Sequence, residues 1–229
     1  MVPAVAVSDL SRRFGRRWAY ARVDLEVQPG ERLLIVGANG SGKTTLLRTL
    51  ATLLPPSEGT LRLFGLDPSR DLMAVRRRLA LVSHKPGLYE DLSARDNLRF
   101  LTELTGRRAD VTALLRAVGL EDRPESVATY SAGMRKRAAL AGLLLQQPEL
   151  VLLDEPFAAL DPSGMDQLGE VVAGLDAAVV IVSHQIEQAA ALCHRALLLD
   201  QGQVRWEGPA AQANDAWRQL HGRAAPVLA

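Results

Sequence analysis

One cysteine, Cys193, occurs in 229 residues, so no internal disulfide can form. A single thiol with no second cysteine and no nearby metal-ligand spacing reads as a small apolar residue in a reducing compartment. The sequence carries no metal-site signature. It also lacks any run of eighteen apolar residues of the kind a membrane span needs. Leu143-Leu144-Leu145 and Val179-Val180-Ile181-Val182 are its strongest apolar runs, and they suit a buried helix and a buried strand. The chain is therefore expected not to cross a membrane, and its N-terminus gives no expectation of a secretory leader. Net charge is nearly absent: 27 basic and 26 acidic residues leave +1, which gives no overall field toward nucleic acid or anionic lipid. The clusters Arg76-Arg77-Arg78 and Arg107-Arg108 are short and read as solvated helix ends or loop tips. No internal repeat or low-complexity linker interrupts the chain.

What is present is a 48% hydrophobic composition, enough for a sizeable core in one domain or in one domain with a subdomain. The most informative stretch is 37–45, Gly-Ala-Asn-Gly-Ser-Gly-Lys-Thr-Thr, between the apolar run Leu33-Leu34-Ile35-Val36 and a helical pattern over 46–54. It has the form of a phosphate-binding loop. Gly37, Gly40 and Gly42 let the backbone curl so that N–H groups, those of Asn39 and Ser41 among them, converge on phosphates at the positive end of a helix. Lys43 then reaches the β- and γ-phosphates, Thr44 offers its hydroxyl to Mg²⁺, and Thr45 lies near the α-phosphate. A glycine-rich turn binding nothing is the alternative, and the strand before and helix after weigh against it.

Upstream, Val23, Leu25 and Val27 alternate with Asp24 and Glu26, which predicts antiparallel strands over 2–27 before the Pro29-Gly30 turn. Phe14 could stack on an adenine from there; Trp18 and Tyr20 compete for that role, and an aromatic on a strand serves a core equally well. Strands are predicted over 60–64 and 79–83. The pattern turns helical over 86–147, with Leu98, Leu101 and Leu104 on one face and Leu114, Leu115 and Val118 on another. The strand-helix alternation that resumes at Leu150 makes this a helical subdomain inserted into an α/β core. Residues 1–85 and 148–229 form that core, the whole being one domain.

Leu150-Val151-Leu152-Leu153-Asp154-Glu155 ends an apolar strand in two carboxylates. Asp154 can order a Mg²⁺ water, and Glu155, which Pro156 is expected to hold extended, suits a base aligning water with the γ-phosphate. Val180-Ile181-Val182-Ser183-His184 delivers an imidazole to the next strand end, where it can donate to the γ-phosphate or be an ordinary edge histidine. Ser131-Ala132-Gly133-Met134 precedes Arg135-Lys136-Arg137 and an apolar helix. Three cations in a first turn oppose the helix dipole, so either an anion docks there, cradled by Ser131 and Gly133, or Ser131 is an N-cap beside a solvated basic turn.

The loop at 37–45, Ser131-Ala132-Gly133 ahead of Asp154-Glu155, Ala159-Leu160-Asp161 after it, and His184 come in the order and spacing of the ATP-binding cassette ATPases, which the chain resembles over nearly its whole length. The resemblance implies a P-loop NTPase core of mixed sheet with an N-terminal antiparallel β region, and ATP hydrolysis with Mg²⁺. It implies a head-to-tail dimer in which Ser131 and Gly133 of a second copy contact the γ-phosphate and Asp161 links the two sites. It also makes Phe14 the adenine-stacking aromatic. The implied partner is an integral membrane permease subunit, with the ATPase peripheral on the cytoplasmic side of the cell membrane and no nucleic acid involved. Three positions depart from the pattern: His84 stands where a Mg²⁺-sensing glutamine is usual, Ala132 replaces a glycine, and Met134 replaces a glutamine. Ser83-His84-Lys85-Pro86-Gly87-Leu88-Tyr89 and Leu92-Ser93-Ala94-Arg95-Asp96-Asn97-Leu98 look like the ATPase of haem exporters in cytochrome c maturation, and are similar to ATPases of other small exporters. The rival readings are a soluble cassette protein clamping a protein assembly and a scaffold that hydrolyses nothing.

Overall fold

The computed structural model describes residues 1–83 and 87–222. Strand β1 (Val5–Phe14) runs antiparallel to β2 (Arg17–Val27) on one side and, on the other, to β4 (Glu58–Leu63), which comes later in the chain. Their alternation sets the buried face: Val23, Leu25 and Val27 point inward while Asp24 and Glu26 face solvent. The larger sheet begins with β3 (Arg32–Val36), after which come α1 (Lys43–Leu50), α2 (Leu72–Arg76) and β5 (Leu79–Val82). The helix expected to reach residue 54 stops at Leu50, because Thr52 takes a φ of 60° that no continuing helix allows.

Three helices follow before the sheet resumes: α3 (Ala94–Thr105), α4 (Val111–Ala117) and α5 (Ala132–Gln146). Ser93 caps α3 reciprocally, its hydroxyl accepting from the Asp96 N–H and donating to the Asp96 carboxylate at 2.6 Å. Leu98 and Leu115 bury against α5 as their spacing predicts, whereas Leu104 is 71% exposed where α3 runs past the core. The chain then forms β6 (Leu150–Asp154), α6 (Pro162–Ala173), β7 (Ala178–Val182), α7 (Ile186–Ala190), β8 (Arg195–Asp200), β9 (Gln203–Pro209) and α8 (Ala213–His221).

The sheet order is β5-β6-β7-β3-β8-β9, parallel except for β9. Every residue of β6 and β7 is buried, as parallel strands covered on both faces require. Leu34 and Val36 pack toward the side of α5, and Leu33 and Ile35 toward α1 and the three-stranded sheet. Each such side chain contributes about 1.5–3 kcal/mol by leaving water. Tyr20 ties the smaller sheet to α1: it is fully buried, and its hydroxyl donates to Thr49 at 2.8 Å. This is the α/β architecture of mixed sheet, antiparallel N-terminal region and helical insertion that the sequence implies. The parallel strands bring the C-terminal ends of β3, β6 and β7 to one edge, where open sheets of this kind place ligands.

Candidate functional site

The loop after β3 is clamped from two sides, which fixes two of its glycines. Gly42 has a φ of 104°, and a Cβ there would lie 2.2 Å from the Ala19 carbonyl oxygen in β2. A Cβ on Gly37 would lie 2.2 Å from the Leu199 carbonyl oxygen in β8. From the β8–β9 turn, the Gly202 N–H donates to the Ser41 carbonyl at 3.1 Å. Inside the loop, the buried Lys43 ammonium folds back to donate to the carbonyls of Gly37 at 2.7 Å and Ala38 at 3.0 Å. Burial lowers its pKa, and the Glu155 and Asp154 carboxylates push it partly back up. The Ser41 hydroxyl is buried with no hydrogen-bond partner among the described residues. A held cation, an orphaned donor and a helix N-terminus at one point make a socket for an anion.

Thr44 at the start of α1 donates its hydroxyl to Asp154 at the end of β6, 3.2 Å away. The described residues hold no group of three His, Cys, Asp or Glu that could bind a metal. The Thr44–Asp154 pair nonetheless fits Mg²⁺, a hard cation that takes oxygen donors, uses few protein ligands and completes its shell with phosphate and water.

Glu155 departs from expectation. Its φ of 50° is left-handed, so Pro156 does not hold it extended. The chain must leave the sheet here to reach α6, and the Glu155 N–H still extends the ladder by donating to Val182 at 2.8 Å. The turn aims its carboxylate at the end of β7, where Oε2 accepts from the His184 N–H at 3.2 Å and sits 2.8 Å from His184 Nδ1. A carboxylate hydrogen-bonded to an imidazole beside Lys43 can hold and orient a water.

These groups surround a cavity of about 640 Å³. Phe14, Asn39, Gly40, Gly42, Lys43, Thr44, Thr45, Asp154 and Glu155 line it, as do Arg17, Trp18 and Arg48, while His184 reaches it through Glu155. Tyr20 is removed from the competition to stack on a base by its burial in the core. His84 lies outside the described residues.

Ser131, Gly133 and Asp161 do not line this cavity. Ser131 is the exposed N-cap of α5, accepting from Met134 N–H at 3.1 Å, and Asp161 caps α6 by accepting from Gly164 N–H at 3.1 Å. The basic first turn of α5 is neither solvated nor open to an anion in the single chain. Arg135 donates to the Tyr130 carbonyl at 2.5 Å, and Arg137 pairs with Asp161 at 3.1 Å. Lys136 is 4% exposed and donates to the carbonyls of Glu155 at 2.7 Å and Ala158 at 2.8 Å. Lys136 thus ties α5 to the segment that carries Glu155, a role the run of three cations hides. Its spacing from the buried Leu140 and Leu143 on one helical stripe is the signal that could have revealed it.

Fold and site together define a nucleoside-triphosphate-binding protein of the phosphate-loop class. The sequence profile of the ABC transporter family matches residues 20–158. The chain is 38% identical over 216 residues to a daunorubicin resistance ATP-binding protein of Streptomyces coeruleorubidus, the match covering 90% of this chain and 68% of that one. It is 31% identical over 218 residues to the ABC transporter ATP-binding protein NatA of Bacillus subtilis, covering 89% of each. Among solved structures, it superposes with a TM-score of 0.82 and 25% identity on a dimeric ATP-binding cassette in a post-hydrolysis state bound to ADP and Pi, covering 90% of this chain and 98% of that one. The chain belongs to the ABC transporter family as an ATP-binding subunit, and it is an ATP hydrolase.

Proposed function

We propose that this chain powers a membrane exporter by closing and opening as an ATP-dependent dimer. The observation that carries the reading is the division of the site. One face holds Lys43, Thr44, Asp154 and the Glu155–His184 pair around a cavity, while the exposed Ser131 and, behind it, the buried Gly133 sit at a helix end that the cavity of the same chain does not reach. A second copy placed head to tail brings that helix end to the γ-phosphate, the Ser131 hydroxyl and the Gly133 amide supplying the donors. Lys43 and the loop amides bind the triphosphate, Phe14 stacks on the adenine, Glu155 orients the attacking water and His184 fixes Glu155. Thr44 and Asp154 hold Mg²⁺, with His84 in the place of a metal sensor; Mg²⁺ when bound neutralises charge on the phosphates. Asp161, paired with Arg137 in the single chain, links the two facing sites of the dimer in this reading.

In this reading residues 86–147 form the helical subdomain and 1–85 with 148–229 the nucleotide core. No helix among the described residues is long and apolar enough to cross a membrane. Membership of the ABC transporter family supports an integral permease subunit that carries the transport path, with this chain docked on its cytoplasmic side. The cargo is either haem for cytochrome c maturation, the reading of 83–98, or a drug, which the daunorubicin resistance relative supports. Membrane vesicles holding this subunit and its co-purified permease distinguish the two by ATP-dependent movement of haem or of an anthracycline.

Glu155→Gln tests the mechanism. It keeps the size of the side chain and removes the base, so turnover should fall about 10²- to 10⁴-fold, and with Mg-ATP the variant should accumulate as a dimer in analytical ultracentrifugation. Parent-like turnover, or a variant that stays monomeric with Mg-ATP, overturns the reading.

A further inference from the structure

A second cavity, of about 420 Å³, lies between α3, the connection that leaves it and the start of α4, and it shares no lining residue with the cavity at the phosphate loop. Arg95, Arg99 and Thr102 line it at spacings of i, i+4 and i+7 on α3, so a single face of that helix supplies all three. That face looks onto the start of α4, because Arg95 Nη2 donates to the Thr112 hydroxyl at 3.3 Å. Residues 107–110 close the remaining side and bring two more arginines, Arg107 and Arg108, to the same wall.

The four cations are unequally compensated. Arg95 meets Asp122 with two nitrogens, Nε donating to Oδ1 at 2.7 Å and Nη2 pairing with Oδ2. Arg99 has Asp96, but at 3.6 Å and on the solvent-exposed side of the helix. Arg107 donates Nη1 to the uncharged Gln147 side chain at 3.0 Å, and Arg108 has no partner among the described residues. Among the lining residues only Asp110 carries a carboxylate, and its Oδ1 is engaged as the cap of α4, accepting from Ala113 N–H at 3.1 Å. A concave wall with a surplus of one sign concentrates its field and draws a counter-ion.

The guanidinium fork matches the paired oxygens of a phosphate group. A carboxylate answers one of the charges on Arg99, Arg107 and Arg108, whereas a phosphate or diphosphate answers two or three. We propose that this cavity binds a phosphate-bearing anion, held by Arg99, Arg107 and Arg108 against the wall that Arg95 and Asp122 fix. The anion braces α3 against the connection to α4. On the far side of Arg107 and Arg108, Leu114, Leu144 and Leu145 line a hollow of about 230 Å³. The phosphate therefore has two sources, a free polyphosphate or the headgroup of a phospholipid whose apolar part enters that hollow.

The phosphate loop also takes polyphosphate in the reading above, so the first arm of the test uses the full chain with Lys43→Met. Calorimetric titration with sodium pyrophosphate should show a single site per chain. Adding Arg99→Gln/Arg108→Gln should weaken it about tenfold or more, and Arg99→Lys/Arg108→Lys by less, because the charge stays while the fork is lost. In the otherwise parent chain the glutamine pair should leave kcat and KM for ATP unchanged, which a general disturbance of the helical insertion would not. The second arm sediments the parent chain with phosphatidylcholine vesicles, with and without phosphatidic acid. Pyrophosphate binding with no gain from phosphatidic acid assigns a free polyphosphate, and retention on the acidic vesicles that the glutamine pair abolishes assigns the headgroup. If the glutamine pair binds both probes as its parent does, or if neither probe binds, the proposal is overturned. Binding of poly-glutamate with no response to either phosphate probe assigns the surface to an acidic protein segment and overturns it as well.

Discussion

Replacing Lys136 by methionine isolates the contact between α5 and the segment carrying Glu155. Methionine keeps the length of the side chain and its packing along the stripe with Leu140 and Leu143, and removes only the ammonium. Two hydrogen bonds from a charged donor are lost, to the carbonyls of Glu155 and Ala158, each worth about 1.5–3 kcal/mol. Against this stands relief of the desolvation of a buried cation, the same burial that lowers the Lys136 pKa, at several kcal/mol. The net is a destabilisation of about 1–3 kcal/mol. For a chain of this size each kcal/mol lowers Tm by about 2–4 °C, so scanning calorimetry should show a fall of about 2–12 °C. Freed of its tether, the segment from Glu155 to Ala158 is held less firmly against α5, and the Glu155 carboxylate drifts from the imidazole. Steady-state ATPase assays should then give kcat about tenfold lower, the scale of a small misplacement of a catalytic group, with KM for ATP nearly unchanged because Lys136 does not touch the phosphate loop. Arg135→Met, one position along the same turn, serves as the control for a general loss of charge. A Lys136→Met protein that melts with the parent and turns over ATP at the parent rate would refute the assignment.

Two further predictions concern the loop and its support. Burial holds the Lys43 pKa below the ordinary 10.5, so the folded chain gives up this proton before a free lysine would. The Kd for ATP should be flat near neutral pH and rise as pH climbs through that lowered value; a Kd that stays flat until the ordinary lysine range would sink this reading. Tyr20→Phe removes the hydrogen bond to Thr49 but leaves the Thr49 hydroxyl donating to the Thr45 carbonyl at 3.0 Å. Thermal unfolding should show a loss of about 1 kcal/mol with unaltered ATP affinity.

The phosphate loop was legible because its chemistry is contiguous: strand, glycines, lysine and helix follow one another in the chain. The alternation of Val23, Leu25 and Val27 was equally legible, but it misleads upstream. Extrapolated back, it points odd-numbered residues inward and Tyr20 outward. Arg22 at a φ of 53° inserts a bulge into the β1–β2 ladder, and the buried face shifts so that Tyr20 enters the core. Glu155 was found by its place after an apolar strand, while its backbone shape was not, since that follows from where the chain must go next. The cations at 135–137 look equivalent in sequence, and only the rotation of α5 against its neighbours gives one to carbonyls of the loop, one to a carboxylate and one to the turn before the helix.

The placement of β3 between β7 and β8 has a consequence for biosynthesis. Leu33 pairs with Val180 on one side and Arg195 on the other, so the strand that leads into the nucleotide loop is completed by segments made much later. At a ribosomal rate of about 5–20 residues per second, Leu33 waits on the order of ten seconds for both neighbours. Throughout that interval the apolar run Leu33-Leu34-Ile35-Val36 has two bare edges, a target for holding chaperones, and a nascent chain halted before β7 cannot assemble its own ATP socket.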